Sequence, residues 1–285
     1  MTGLTALDGP ALLRAHGLTP RKGLGQNFLT DPATLDKLVQ AAGVTADDSV
    51  LEIGPGLGSL TRHLAQTARR VIAVEIDQNL IPILQQVLAD EPNVHVIHAD
   101  ILSLNPAEIM GGEPYLVVAN IPYYITSAIL RHLLESAHRP QRLALTVQRE
   151  VADRICAAPG DLSLLALSVQ VYGSPRPVLR IPAGAFYPPP KVDSVTLRID
   201  LFPQPLIPQK DLDVFFKLAK AGFSQKRKTL RNALVGGLGW KTNDVEDMLR
   251  KSEIDPMRRA ETLTLDEWRL LTAQFLVENT LKRGN

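Results

Sequence analysis

A single cysteine, Cys156, stands in the 285 residues. No internal disulfide can form, so a covalently stapled secreted fold is excluded and the usage fits a reducing cytoplasm. Histidine is sparse, with 6 in all. His95 and His98 fall close together, but in an apolar run that reads as a strand, where they would face opposite sides. No metal is therefore assigned. No stretch reaches the roughly 18 uncharged apolar residues of a membrane span. Residues 1–10 lack the basic start and apolar run of a secretory leader. The expectation is a cytoplasmic protein with no membrane partner. No apolar seam stands out, so a monomer is expected.

What remains is ordinary globular composition, 45% hydrophobic and 21% charged. The length allows one large domain with a smaller companion. The net charge of +1 hides an asymmetry. After Gln204, 15 Lys+Arg face 11 Asp+Glu, whereas before it 16 face 19. A tail more basic than its body hints at a polyanion.

Short Val- and Ile-rich runs at residues 49–53, 71–76, 94–98, 115–119 and 143–147 read as buried strands. Between them, Leu60, Leu64 and Ala68 share a helical face, as do Leu80, Leu84 and Leu88, and Ile129 and Leu133. Strand alternating with helix predicts an α/β sheet, mostly parallel. Residues 164–172 and 194–201 are also strand-like and could pair antiparallel at the sheet edge. Residues 201–209 hold three prolines and read as a linker. Beyond them the chain is helical in character. The expected division is a catalytic domain over residues 1–201 and a small helical domain over 202–285.

The run Leu51-Glu52-Ile53-Gly54-Pro55-Gly56-Leu57-Gly58 ends a predicted strand and opens a predicted helix. Its glycines, Gly54 and Gly56 foremost, let the backbone turn sharply and approach a ligand. Glu52 reads first as a structural acid bonding backbone amides in that turn, with direct ligand contact as the alternative. The second strand ends in Val74-Glu75-Ile76-Asp77, where a carboxylate can accept from ribose hydroxyls; Asp77 can equally be a helix N-cap. The third ends in Ala99-Asp100-Ile101. Asp100 can accept from an adenine amino group, and Ile101 can pack on the base. The alternate spacing of the glycines differs from the dinucleotide fingerprint and resembles the motif of class I S-adenosylmethionine-dependent methyltransferases.

The fourth strand runs into Asn120-Ile121-Pro122-Tyr123. An amine on adenine is planar because its lone pair is delocalised, and it is a poor nucleophile. Acceptors such as the Asn120 side-chain oxygen and a backbone carbonyl beside Pro122 can draw it toward tetrahedral. Pro122 stiffens the turn. Tyr123 offers a face for the base, worth ~1–3 kcal/mol. Such a reaction rests on positioning and electrostatics. The tetrapeptide resembles the Asn/Asp-Pro-Pro-Tyr/Phe motif of amino-methyltransferases acting on adenine and cytosine.

Three further segments carry a closer resemblance: Gly25-Gln26-Asn27-Phe28-Leu29, residues 184–194 (Gly-Ala-Phe-Tyr-Pro-Pro-Pro-Lys-Val-Asp-Ser) and residues 222–232. With the motifs above, they are similar to the rRNA adenine N6,N6-dimethyltransferase family over residues 15–275, and within it to the bacterial small-subunit (16S) type. The resemblance implies S-adenosyl-L-methionine as cofactor. It implies dimethylation of two adjacent adenines near the 3′ end of small-subunit rRNA, presented in an immature 30S-type particle. It places Asn27 and Leu29 at the cofactor entrance with Gly54, Glu75, Asp100 and Asn120, and Phe186 over the target adenine opposite Tyr123. The family commonly has a Tyr-Gly pair where this chain has Asp161-Leu162-Ser163-Leu164, which leaves that local turn open.

Lys226, Arg227, Lys228 and Arg231 fall within two turns if the segment is helical, forming a patch for RNA phosphates; Arg258 and Arg259 could extend it. Two other readings use the same residues: a drug-resistance methyltransferase of large-subunit rRNA, and a ribosome-assembly factor that binds immature small subunits. Methylation of DNA or protein glutamine is a more distant alternative.

Overall fold

The computed structural model describes residues 4–283; residues 1–3 and 284–285, the outer ends of the two expected domains, lie outside it. In chain order come α1 (Gly9–Ala15), β1 (Phe28–Leu29), α2 (Pro32–Ala42), β2 (Ser49–Ile53), α3 (Ser59–Ala65), β3 (Arg70–Glu75), α4 (Ile81–Val87), β4 (Val94–His98) and α5 (Pro106–Met110). Then follow β5 (Leu116–Asn120), α6 (Thr126–Leu134), β6 (Arg142–Gln148), α7 (Arg149–Ile155), α8 (Leu164–Gln170), β7 (Gly173–Ile181), β8 (Phe186–Tyr187) and β9 (Ser194–Leu201). The chain closes with α9 (Leu212–Gly222), α10 (Leu230–Leu238), α11 (Thr242–Lys251) and α12 (Leu265–Arg283).

Two compact units result, Met1–Ala152 with Pro175–Leu201, and Asp153–Ser174 with Phe202–Asn285. The division expected at residue 201 had put residues 153–174 with the sheet. Instead the Gln170 amide donates to the carbonyls of Ile155 and Ala157, 2.8 Å each, tying that segment together. Its residues 164–170, expected as strand, form α8. Ser163 caps the helix by accepting from the Ala166 amide at 3.2 Å.

The first unit is built on a seven-stranded sheet ordered β4-β3-β2-β5-β6-β9-β7. β4, β3, β2, β5 and β6 run parallel, and β9 is antiparallel to β6. Parallel neighbours need crossovers, and helices covering both faces leave the central strands predominantly apolar. Val50, Leu51, Val117 and Val118 are fully buried for that reason. The third run, expected as a buried strand, is the edge strand β4, with His95 and His98 exposed. The antiparallel edge is there, supplied by β9 against β6, with β7 rather than residues 164–172 as its outer neighbour.

The strand order has one further consequence. After β2 the chain steps to β3 and β4 on one side, then returns to β5 on the other. Such a reversal opens a crevice at the carboxyl ends of the strands. A short antiparallel ribbon stands beside it, pairing Phe28 with Tyr187 and Leu29 with Phe186. Asp31 then caps α2 through the Thr34 amide at 2.8 Å, with Pro32 at the first helical position.

In the helical unit, Trp268, Phe215, Leu218 and Met248 make the core. α9 and α10 approach so closely at Gly237 that an added Cβ would lie 2.5 Å from the Ala221 Cβ. No helix among the described residues is long and apolar enough to cross a membrane.

Candidate functional site

The turn after β2 takes its shape from glycine. Gly54, Gly56 and Gly58 have φ of 70°, 59° and 84°, in the left-handed region. At Gly56 a Cβ would also lie 2.8 Å from the Phe28 ring. Phe28 in β1 is thereby pressed onto the turn.

Glu75, the last residue of β3, holds this turn. One carboxylate oxygen accepts from the Gly56 amide at 3.1 Å and the other from the Asp77 amide at 2.8 Å. Burial pushes its carboxyl above the usual range, against the pull of those two donors. The amide-bonding role expected for Glu52 thus falls to Glu75. Glu52 is 1% exposed, and its Oε2 has no hydrogen-bond partner. Burial, opposed by the Thr61 hydroxyl and reinforced by the Glu75 charge, pushes its carboxyl up to about 8. A buried oxygen without a partner costs free energy until something donates to it.

Asp77 is the cap that was one of its two readings, accepting from the Asn79 amide at 3.1 Å ahead of a 3-10 turn over Gln78–Leu80. It also accepts from the Gln26 amide at 2.8 Å and the Arg21 guanidinium at 3.1 Å. Burial opposes its ionisation, but Gln26, Asn79 and Arg21 hold the carboxyl below the usual range. Asp100, two residues past β4, is exposed and caps the next turn through the Leu102 amide at 2.9 Å. Ile101 beside it is buried.

At the end of β5 the groups are neutral. Asn120 donates through Nδ2 to the Asn27 carbonyl at 3.0 Å. A carbonyl can only accept, so the amide is oriented without ambiguity and Oδ1 is left as its acceptor. The Asn27 side chain turns back to the Gly25 carbonyl at 3.2 Å. Pro122, at φ −58°, starts a 3-10 turn over Tyr123–Ile125, and its carbonyl accepts from the Ile125 amide at 3.2 Å. Tyr123 is half-buried. Its hydroxyl shares a 2.7 Å hydrogen bond with Ser194 at the start of β9, which fixes the ring, while burial pushes its phenol up.

These residues face one cleft of about 970 Å³ including its open mouth. Its lining contains Asn27, Leu29, Gly54, Gly56, Glu75, Asp100, Ile101, Asn120, Pro122 and Tyr123. Phe186 is not part of it. Its ring is 4% exposed, packed in the core with Leu29, Leu35 and Leu38. Pairing with Leu29 turns it inward, so as the chain stands it supports the cleft wall from behind. Ile76, 51% exposed, and Glu52 also line the cleft. Their place at strand ends was the available signal for both. One end of the cleft thus carries carboxylates and apolar walls suited to a ligand with a cationic group, hydroxyls and a flat ring. The other presents neutral acceptors and an aromatic face.

The basic cluster belongs to the helical unit and is not one helical stripe. Lys226, Arg227 and Lys228 are exposed in the turn between α9 and α10. Thr229 ends that turn by capping α10. Arg231 is in α10 but pairs with Glu246 at 2.7 Å. Arg258 pairs with Glu267 and donates to the Thr262 carbonyl at 2.6 Å, and Arg259 lies 3.6 Å from Glu261.

Residues 17–272 match the family described as ribosomal RNA adenine dimethylase. A relative from Dehalococcoides mccartyi strain CBDB1, named ribosomal RNA small subunit methyltransferase A, is 48% identical over 93% of this chain and 91% of its own. One of the same name from Moorella thermoacetica is 44% identical over 90% of this chain and 93% of its own. Among solved structures, a dimethyladenosine transferase from Plasmodium falciparum aligns with TM-score 0.76 at 25% identity, covering 88% of this chain and 98% of that one. The 23S rRNA methyltransferase ErmE aligns with TM-score 0.69 at 29% identity, covering 87% and 99%.

Proposed function

The chain belongs to the ribosomal RNA adenine dimethylase family, and from that premise we propose that it transfers methyl groups to the N6 amine of adenines in small-subunit rRNA, to the dimethyl stage. The observation that carries this reading is the Asn120 amide at the cleft wall, oriented by the Asn27 carbonyl at 3.0 Å so that Oδ1 is left as an acceptor.

S-adenosyl-L-methionine is the cofactor of this reading, supplying an electrophilic methyl carbon. The carboxylate end fits it. Glu52 offers a buried unpartnered oxygen, Glu75 and Asp100 sit at consecutive strand ends, and Ile76 and Ile101 supply apolar walls. Gly54 and Gly56 let the backbone come close, and Asn27 and Leu29 border the entrance.

At the other end, Asn120 Oδ1 accepts one N–H of the adenine amine. The Pro122 carbonyl is engaged by Ile125, so the Ile121 carbonyl is the second acceptor. Two acceptors out of the base plane draw the nitrogen toward tetrahedral and free its lone pair. Tyr123, held by Ser194, stacks on the base and restrains it against rotation. No strong base is required, because an N6-methylated adenine carrying the extra proton is acidic and releases it to water. The work lies in placement and fixed dipoles.

Lys226, Arg227 and Lys228 are the proposed phosphate contacts, since they are exposed and form no ion pair among the described residues, whereas Arg231 shares its charge with Glu246. Binding carried by them weakens with salt. The substrate of this reading is an immature 30S-type particle, met by a monomer in the cytoplasm. The test is incubation with methyl-labelled cofactor and either immature small subunits or large subunits, followed by nucleoside analysis. The expected product is N6,N6-dimethyladenosine in small-subunit RNA. Label confined to large subunits would transfer the reading to the drug-resistance type, and no label in either would remove it.

A further inference from the structure

Asp77 and Gln26 take no part in the proposed chemistry, yet they connect the two ends of the cleft. Asp77 is buried, and its Oδ2 accepts from Gln26 Nε2 at 2.8 Å. Its Oδ1 accepts from the Arg21 guanidinium and the Asn79 amide, 3.1 Å each. Gln26 Oε1 accepts from the Arg21 backbone amide at 2.8 Å. Both polar ends of Gln26 are engaged within the protein, although the residue borders the cleft.

The next residue is Asn27, whose carbonyl orients the Asn120 amide. On the other side, Gly25 fits against the acceptor turn. An added Cβ would lie 3.2 Å from the Pro122 Cβ and 3.3 Å from the Tyr124 ring. The Gln26 side chain therefore joins the end of β3 to a segment whose flanking residues, Gly25 and Asn27, both touch the end of β5, with β2 between the two strands. Two strand spacings are about 10 Å, the gap that the Gln26–Asp77 pair bridges.

We propose that Gln26 and Asp77 are positioning residues for methyl transfer, forming a latch that sets the Asn27 carbonyl and through it the acceptor oxygen of Asn120. This rests on the reading of the cleft given above. The alternative is that the segment merely borders the cofactor, in which case its loss affects affinity alone. A displacement of about 1 Å at a reacting centre costs on the order of 100-fold in rate, so the latch acts on the rate at saturation.

Single-turnover methyl transfer to immature small subunits at saturating cofactor reads that rate, and calorimetric titration reads cofactor affinity. In the full-length protein, Gln26→Ala is expected to lower the saturated rate roughly 10- to 100-fold. Cofactor affinity is expected to stay within about threefold. Gln26→Glu alone sets two carboxylates face to face and should also be slow. Adding Asp77→Asn to Gln26→Glu rebuilds the hydrogen bond with donor and acceptor exchanged, and should recover the rate to within about threefold. An unchanged saturated rate in Gln26→Ala, with or without weaker cofactor binding, overturns the latch. So does a folded double variant no faster than Gln26→Glu. If Gln26→Ala fails to fold, as judged by its thermal melt, the recovery in the double variant decides. Wild-type protein runs alongside: its failure to produce dimethyladenosine removes the functional reading and the latch together, whereas active wild type with unaffected variants removes the latch alone.

Discussion

The two ends of the cleft are built from different chemistry on the same sheet. At the carboxyl ends of β2, β3 and β4 stand Glu52, Glu75 and Asp100, and at that of β5 stand Asn120, Pro122 and Tyr123. The first group is acidic, with Glu75 and Asp100 anchored through backbone amides. The second is neutral and anchored by single hydrogen bonds to Asn27 and Ser194. A ligand with positive charge and hydroxyls gains from carboxylates. An amine nucleophile gains from neutral acceptors, which direct its lone pair without protonating it. One end should therefore govern affinity for the cofactor, and the other the rate of transfer.

The largest expected effect tests the neutral end. Asn120→Ala removes a pre-aimed acceptor and should lower the saturated transfer rate by about 100- to 1,000-fold, with cofactor affinity changed only a few-fold. Rapid-quench transfer and calorimetric titration give the two values. Equal losses in both would break the division.

Next comes the acidic end. Glu75→Ala deletes the acceptor for two backbone amides, at 3.1 and 2.8 Å. Bonds to a charged group are worth about 1.5–3 kcal/mol. Cofactor affinity should fall roughly 10- to 100-fold, with a much smaller change in the saturated rate.

A smaller effect sharpens the contrast by pH. The Glu52 carboxyl is pushed up to about 8 in the fold, above its ordinary value of 4.5. The native state therefore holds a proton that the unfolded chain has released. The stability associated with that proton is complete below pH 4.5 and is lost as pH rises to about 8. Glu52→Gln does not titrate, so it should gain on wild type as the pH rises across that window. Urea titrations of the ligand-free protein at pH 5 and pH 8 measure it. A gain equal at both values would show that Glu52 is ionised throughout.

The smallest effect returns to the neutral end. Tyr123→Phe keeps the aromatic face and loses the hydrogen bond to Ser194, worth about 1 kcal/mol. The saturated rate should fall only several-fold, while Tyr123→Ala, which also loses base stacking of ~1–3 kcal/mol, should fall further.

Much of the cleft is legible in the sequence because each of its main residues sits where a strand ends. Strand ends are local events, marked by glycine, by a capping acid or by Asn-Ile-Pro-Tyr. The three parallel runs at the centre are equally plain, since burial on both faces leaves them mostly apolar. What escaped turns on a local helix cap in two places and on partners remote in sequence in two others. Residues 164–170 carry an apolar run that suits strand or buried helix, and the Ser163 cap decides for helix. Lys226–Lys228 look helical until Thr229 is recognised as the cap that starts α10 after them. The exchange of roles between Glu52 and Glu75 turns on which carboxyl reaches the Gly56 amide, a matter of neighbouring strands. Phe186 was placed over the base, yet its pairing with Leu29 sends it into the core.

That β1–β8 ribbon bears on synthesis as well as on shape. Phe28 and Leu29 leave the ribosome early and have no partner until Phe186 and Tyr187 follow. At 5–20 residues per second the interval is on the order of ten seconds. A nascent chain halted after β6 would display the glycine turn and Asn120 with one wall of the crevice unsupported. Competence for ligand should thus arrive late in translation, and chains truncated before residue 186 should bind cofactor poorly even where their parallel strands have formed.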